Sequence, residues 1–156
     1  MIFPEIMKIG IIGSMHFSEK MLDVAKELKL RGHQPILSNF VESFIGKDDK
    51  DKESIKLRQK FEEDAMKIDW ASMKEADALL VINLERHGIP NYIGGNTLFE
   101  LAAGYFSGKK IFFYNQIPNM PYCKSELEAV KPVILDGDLA KINYDNPNLY
   151  LYSSLA

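Results

Sequence analysis

Residues 7–37 read MKIGIIGSMHFSEKMLDVAKELKLRGHQPIL, and they carry the clearest fold signal of the chain. Residues 7–13 form a short apolar run that ends in glycine, which predicts a buried strand. Residues 18–30 place apolar side chains at helical spacing, and Arg31-Gly32 supplies the basic last turn and the glycine that end a helix. Residues 35–37 predict a second strand, so the stretch is a strand–helix–strand unit.

The same alternation continues to the end of the chain. The further predicted elements are a loop at 41–51, one long helix or two abutting helices at 53–75, strands at 78–82, 110–114 and 132–135, and helices at 97–107 and 124–130. Strands that alternate with helices form parallel βαβ units. We predict an α/β fold, a doubly wound parallel sheet of about five strands with helices on both faces, like that of flavodoxin or Rossmann proteins. This domain covers residues 1–142, and the tyrosine-rich tail 143–156 packs on it or on a partner subunit.

The composition excludes several classes of protein. The 156 residues, 46% hydrophobic and 26% charged, are typical of one globular domain. A net charge of −3 argues against binding to nucleic acid, and a single cysteine, Cys123, permits no internal disulfide. No Cys/His cluster has metal-site spacing, no apolar run is long enough to span a bilayer, and the N-terminus lacks the features of a signal peptide. We expect a cytoplasmic protein that needs no metal or cofactor and binds no membrane.

Polar residues follow three of the predicted strands, at the edge where doubly wound sheets bind their ligands. Gly13-Ser14 ends the first strand, and such a turn offers backbone N–H groups and a hydroxyl to a phosphate, with His16 as an additional cation. An ordinary capped turn explains the same residues equally well. Asn83 and Asn115 end two further strands, where they orient a sugar or base or simply form turns.

The segment YIGGNTLFELAAGY, at residues 92–105, holds the strongest candidate for chemistry. Glycines let a backbone approach a ligand closely, and polar residues at a helix start offer free donors to anions and sugars. A lone carboxylate, Glu100, follows inside an apolar run, where burial without a partner is costly. The candidate binding residues that precede it are Gly94, Gly95, Asn96 and Thr97.

A structural explanation of the same segment is a capping box. In that arrangement Thr97 caps the helix and Glu100 reaches back to the Thr97 N–H, and Ser125-x-x-Glu128 repeats the pattern elsewhere in the chain. From spacing alone the two interpretations are evenly balanced. The glycine pair, the long preceding loop and the position at the ligand edge of the sheet favour function.

Asp69 is the second candidate carboxylate. It stands beside Trp70 in the predicted helical region 53–75. If the apolar side of that region turns inward, Asp69 points toward the sheet edge, but periodicity alone favours a solvated charge on a charge-rich helix.

Four short motifs, in matching order and spacing, resemble the nucleoside 2-deoxyribosyltransferase superfamily, especially its branch of 2′-deoxynucleoside 5′-phosphate N-hydrolases. The family opens a helix with Gly-x-x-x-Glu-Leu/Ile-Gly-x-Ala, and residues 97–104, TLFELAAG, match it with Ala102 in place of a glycine. Residues 107–112, SGKKIF, resemble the strand entry that follows. Asp69 lies eight residues before the aspartate that enters the third strand, the offset found in the hydrolase branch, and residues 13–16, GSMH, resemble its Gly-Ser-Ile-Arg phosphate loop.

This resemblance implies an enzyme that cleaves the N-glycosidic bond of a nucleoside 5′-monophosphate or a related (deoxy)nucleoside. By resemblance Glu100 is the nucleophile that forms a glycosyl-enzyme ester, and Asp69 binds the sugar or assists the base or the water. Ser14 and the N–H groups near Gly13 and Gly95 hold the 5′-phosphate. Relatives of this kind assemble, so we expect a homodimer or a higher homo-oligomer whose partner molecule is a small nucleoside or nucleotide.

Three positions depart from the family. Gly10 stands where the family has a tyrosine, His16 replaces the arginine of the phosphate loop, and Gly94 stands where the transferase branch has an aspartate that protonates the base. The last departure favours hydrolysis over base exchange, and the insertion at 85–95 is the expected source of replacements for the other two. The alternatives are a deoxyribosyltransferase, a non-catalytic nucleotide-binding or sensing module, and an oligomeric scaffold.

Overall fold

The protein folds around a five-stranded sheet in which every strand runs parallel to its neighbours. The computed structural model describes residues 6–142. The strands are β1 (Lys8–Gly13), β2 (Gln34–Ile36), β3 (Ala78–Ile82), β4 (Lys110–Phe113) and β5 (Val133–Ile134). Their order is β2-β1-β3-β4-β5, so the strand order reverses between β1 and β3. The predicted fold class is confirmed, and the tail at 143–156 lies outside the described residues.

Helices cover both faces of the sheet. They are α1 (Ser18–Leu30), α2 (Asp49–Glu62), α3 (Ala65–Met73), α4 (Gly95–Phe106) and α5 (Lys124–Val130), with 3₁₀ turns at Met15–Phe17, Val41–Phe44 and Leu139–Lys141. On one face Met21 and Leu28 of α1 pack with Ile11 of β1. On the other face Leu101 of α4 packs with Leu79 of β3. Because both faces are covered, β3 is buried along its whole length, which explains its continuous apolar run.

The prediction for residues 41–75 is partly wrong. The charged run at 47–52, predicted as loop, contains the start of α2, because the Asp48 side chain accepts a hydrogen bond from the Asp51 N–H and caps the helix. The region 53–75 follows the second predicted alternative, two abutting helices, which are separated at Asp64, whose φ of 54° lies in the left-handed region. Within α2 the aromatic side chain of Phe61 is 79% exposed, although helical spacing of the apolar residues in this region favours an inward position.

Two glycines fix α3 and α4 close to the sheet. A Cβ atom added at Gly104 would lie 2.2 Å from Leu79 Cδ1, so glycine is needed for α4 to pack this closely on β3. A Cβ atom added at Gly10 would lie 2.7 Å from Met73 Sδ of α3 and 2.9 Å from Leu79 Cδ2. This packing leaves no room on β1 for the tyrosine that the resembled family carries, and it holds the carboxylate-bearing helices against the sheet.

Candidate active site

Two adjoining cavities lie at the carboxyl end of β1. Asp69 of α3 and Glu100 of α4 both line the inner cavity, whose volume of about 30 Å³ has room for about one water molecule. The outer cavity has a volume of about 250 Å³. The predicted site residues that line the outer cavity are Gly13, Ser14, Gly94, Gly95, Asn96 and Thr97. The residues that line both cavities are Met15, Lys56, Lys60 and Asn96.

The start of α4 differs from the prediction in a way that bears on function. The helix begins at Gly95 instead of residue 97, with Gly94 as its N-cap, and within residues 6–142 no side chain caps it. The capping-box interpretation is therefore wrong, since Thr97 lies inside the first turn. Thr97 is 1% exposed and its Oγ1 has no hydrogen-bond partner among residues 6–142, and the same holds for Asn96 Oδ1. Buried polar atoms are normally paired, and these two unpaired atoms belong to residues that line the outer cavity at the N-terminus of α4.

Glu100 lies one turn further along α4, in an environment that disfavours its charge. Burial, assisted by the nearby Asp69 carboxylate, raises the pKa of Glu100 from 4.5 to about 8. No hydrogen bond from another group within residues 6–142 stabilises its ionised form. A carboxyl group with this property in a cavity is typical of catalytic sites.

Asp69 is held rigidly by the loop that follows β2. Its Oδ2 accepts a hydrogen bond from Ser38 Oγ at 2.6 Å, and its Oδ1 accepts from the Asn39 backbone N–H at 2.9 Å and from Asn39 Nδ2 at 3.2 Å. Asn39 Nδ2 also reaches Ser72 Oγ at 2.9 Å. The interpretation of Asp69 as a solvated surface charge does not hold. Its carboxylate has a fixed position opposite Glu100.

The turn after β1 is both capped and open to the outer cavity. Ser14 Oγ accepts a hydrogen bond from the His16 backbone N–H at 3.3 Å and so caps the short 3₁₀ turn. A Cβ atom added at Gly13 would lie 2.7 Å from the Ile82 carbonyl oxygen, so the backbone approaches β3 closely there. The structural and functional explanations of this turn are therefore compatible.

His16 is not part of the lining of either cavity. Its ring, 4% exposed, lies between two carboxylates of α2, with Nε2 2.9 Å from Glu53 Oε2 and Nδ1 2.9 Å from Asp49 Oδ1. The second contact is a charge contact without good hydrogen-bond alignment. His16 therefore ties α2 to the first turn and does not take the place of the family's arginine.

Asn83 and Asn115 are brought together, but outside both cavities. Asn83 Oδ1 accepts from the Asn115 N–H at 2.8 Å, and Asn83 Nδ2 donates to the carbonyls of Asn115 and Gln116 at 3.2 and 2.9 Å. Asn115 Nδ2 donates to the Asn83 carbonyl at 3.0 Å. The two amides clamp the ends of β3 and β4, which is the turn-forming role that the sequence left open.

Three cationic residues of the site were missed from the sequence. Lys56 and Lys60 stand at i and i+4 on α2, and Arg86 enters the outer cavity from the loop after β3. In the sequence the two lysines look like part of a solvated helix face, and only the position of α2 over the cavities shows that they line the site. Arg86 lies in the expected insertion, where His87 and Gly88 adopt φ values of 55° and 73° and form a tight turn.

Comparison with protein-family models, with curated proteins and with solved structures found no match. The resemblance to nucleoside deoxyribosyltransferases therefore rests on the motifs quoted above. Within residues 6–142 no group of three or more His, Cys, Asp or Glu side chains is arranged to hold a metal ion. No helix of the described part is both long enough and apolar enough to cross a membrane.

Proposed function

We propose that the protein hydrolyses the N-glycosidic bond of a nucleoside 5′-monophosphate or a related (deoxy)nucleoside in the cytoplasm. The observation that carries the proposal is the cavity that Glu100 and Asp69 share, beside the Thr97 hydroxyl, which has no hydrogen-bond partner within residues 6–142. Enzymes that cleave glycosidic bonds usually place two carboxyl groups on either side of the sugar. The motif resemblance adds support to this choice of bond.

In the proposed reaction Glu100, which burial keeps mostly protonated at neutral pH, first gives its proton to water, and its carboxylate then attacks the anomeric carbon. The bonding electrons of the N-glycosidic bond leave with the base, which takes up a proton, and an ester forms between the sugar and Glu100. Water then attacks the anomeric carbon, which releases the sugar and restores the carboxylate. The sugar gains positive charge in the transition state, and the fixed Asp69 carboxylate stabilises that charge without moving.

The outer cavity is the proposed place of the phosphate. Its walls combine the Gly13-Ser14 turn, the N-terminus of α4 and the side chains of Lys56 and Lys60. A helix N-terminus with free N–H groups attracts a phosphate, and flexible lysine ammonium groups add charge-assisted hydrogen bonds. A phosphate anchored here extends its sugar toward the inner cavity and Glu100.

The test is release of free base from a panel of deoxy- and ribonucleosides and their 5′-monophosphates. We expect Glu100→Gln to lower the rate by several orders of magnitude, because an essential nucleophile is lost. Glu128→Gln is the matched control, since Glu128 belongs to the look-alike Ser-x-x-Glu motif on α5 and is exposed. No release from any substrate, or equal rates for Glu100→Gln and the wild type, would contradict the proposal.

One observation favours a second candidate, binding of a nucleotide without turnover. The inner cavity is too narrow for a sugar as it stands, so Glu100 is not yet accessible to the anomeric carbon. A ligand that raises the melting temperature but is never cleaved would identify this function. A base-exchanging transferase is less well supported, because Gly94 offers no acid to the base.

Self-association is part of the proposal. Phe99 and Phe106 of α4 are 69% and 82% exposed, on the helix that carries Glu100. A second copy of the chain is the partner that the family resemblance implies for this surface, and measuring the mass of the protein in solution tests it.

A further inference from the structure

Polar contacts attach α2 to the rest of the protein. Its two buried residues are Lys52 and Gln59, whereas α1 buries several apolar side chains. Lys52 Nζ donates to the His16 carbonyl at 3.2 Å and pairs with Glu19 at 2.6 Å, and Gln59 Nε2 donates to Ser43 Oγ at 2.9 Å. Since apolar burial provides most of the stability of a helix in a protein, α2 is among the elements that detach at low cost.

The same helix covers the site. Lys56 and Lys60 line both cavities, and Gln59 lines the inner one. The inner cavity, at about 30 Å³, is far smaller than the roughly 300–1,000 Å³ of typical small-molecule sites. Access of a sugar to Glu100 therefore requires movement of a wall, and α2 is the wall with the weakest apolar attachment.

An ion-pair cluster closes the first two turns of α2 onto the site, and we call it the clasp. It consists of Asp49 and Glu53 on α2, together with His16 and Arg86. Arg86 Nη1 lies 2.5 Å from Asp49 Oδ1, and Arg86 Nη2 lies 3.6 Å from Glu53 Oε2. The Arg86 guanidinium holds the pKa of Asp49 below its usual value. The clasp joins α2 to the turn after β1 and to the loop after β3, the two segments that form the outer cavity.

The backbone on each side of α2 adopts the left-handed conformation. Gly46 has a φ of 75° before the helix, and Asp64 has a φ of 54° between α2 and α3. Hinges are a few residues at the ends of elements that absorb changes of φ and ψ, and both positions fit this description. These two positions bound α2 as one segment.

We propose that α2 is a lid over Glu100 and that the clasp holds it shut. Breaking the clasp lets α2 swing away and exposes the inner cavity, and Lys56 and Lys60 move with the lid. The role of the lid in admitting substrate rests on the proposed function, but its opening is a property of the protein without any substrate.

The test measures access to the inner cavity directly. Met73 lines that cavity and is 1% exposed, so the thiol introduced by Met73→Cys reacts with a thiol reagent when the cavity opens. Cys123, the N-cap residue of α5, is buried and lines neither cavity, so its labelling reports on opening of the whole protein. Mass spectrometry separates the two labelling rates. The perturbing variant is Arg86→Met, which removes the ion pairs of the clasp to the loop after β3 without altering α2. The control is Arg58→Met, whose partner Glu63 lies outside the clasp.

We expect Arg86→Met to speed labelling at position 73 about fivefold, with Cys123 and the Arg58→Met control unchanged within twofold. Unchanged labelling at position 73, or an equal increase at Cys123, would overturn the lid. If Met73→Cys does not fold, hydrogen exchange of the α2 amides in Arg86→Met alone tests the lid. Faster exchange confined to α2 supports the lid, and unchanged or uniformly faster exchange refutes it. Neither measurement depends on base release, so failure of the proposed function leaves the result interpretable.

Discussion

Replacing Glu100 with glutamine should remove a pH-dependent loss of stability, and the direction follows from the burial of this carboxyl. Burial, assisted by Asp69, raises the pKa of Glu100 from 4.5 to about 8 in the folded protein. Between these values the folded protein keeps a proton that the unfolded chain releases. The stability contributed by the protonated carboxyl is complete below pH 4.5, falls as the pH rises toward about 8, and changes little beyond that.

The magnitude follows from the same two pKa values. Each pH unit in this interval lowers the free energy of unfolding by up to about 1.4 kcal/mol, which amounts to at most about 5 kcal/mol above pH 8. Glutamine has the same size but no proton to lose, so the Glu100→Gln variant escapes this decline. Any cost of the new amide is independent of pH, and the difference in stability between variant and wild type should therefore rise by several kcal/mol from pH 5 to pH 9.

Urea unfolding of both proteins at one-unit steps from pH 5 to pH 9 provides the measurement. Taking the difference between them cancels the titration of all other groups. Glu128→Gln is the control, because Glu128 is exposed, and its difference from the wild type should stay flat. A flat difference for Glu100→Gln, or one that falls with pH, would refute the claim that Glu100 is desolvated in the folded protein.

Two further predictions address packing and phosphate recognition. Gly104→Ala should lower the free energy of unfolding by about 1–3 kcal/mol, because the new methyl group collides with Leu79. The control is Gly95→Ala on the same helix, whose new methyl group meets open space and should leave the free energy of unfolding unchanged. Equal effects of the two variants in chemical denaturation would contradict this account. Lys60→Met should lower kcat/KM roughly tenfold for a nucleoside 5′-monophosphate but little for the nucleoside, because only the nucleotide has a phosphate for Lys60 to contact. The control is Lys67→Met, since Lys67 is exposed. An equal loss for both substrates would exclude a phosphate contact.

Most of the fold could be predicted from local sequence patterns. The bounds of α1, β3 and α5 were predicted as the structure has them, because each combines a clear apolar period or run with a recognisable start or stop. The failures lie where local signals conflict with packing. The run at 47–52 is highly charged, and it is helical from Asp49 onward because Asp48 caps it and because His16 and Arg86 pair with the Asp49 carboxylate.

The residues of the candidate site also fall into two groups: those that the sequence made visible, and those whose role depends on contacts between distant segments. Glu100 and the glycine pair stood out because a carboxylate in an apolar run and adjacent glycines are visible in one dimension. Asp69 did not stand out by periodicity, since its hydrogen-bond partners, Ser38 and Asn39, lie about thirty residues away in the chain. The motif resemblance pointed to Asp69, but the contacts that hold it are non-local.

Sequence alone established the alternation of strands and helices, the parallel sheet that follows from it, and a short list of polar residues at one edge. Sequence alone could not show which of these polar residues belong to the site, because the same residue types cap turns, connect strand ends or face a cavity. Folding made that choice: it left the Thr97 hydroxyl without a partner among the described residues, paired Asn83 with Asn115, and placed α2 over the cavity of Glu100. Periodicity and capping act over a few residues and leave a trace in sequence, whereas burial and pairing depend on which distant segments meet.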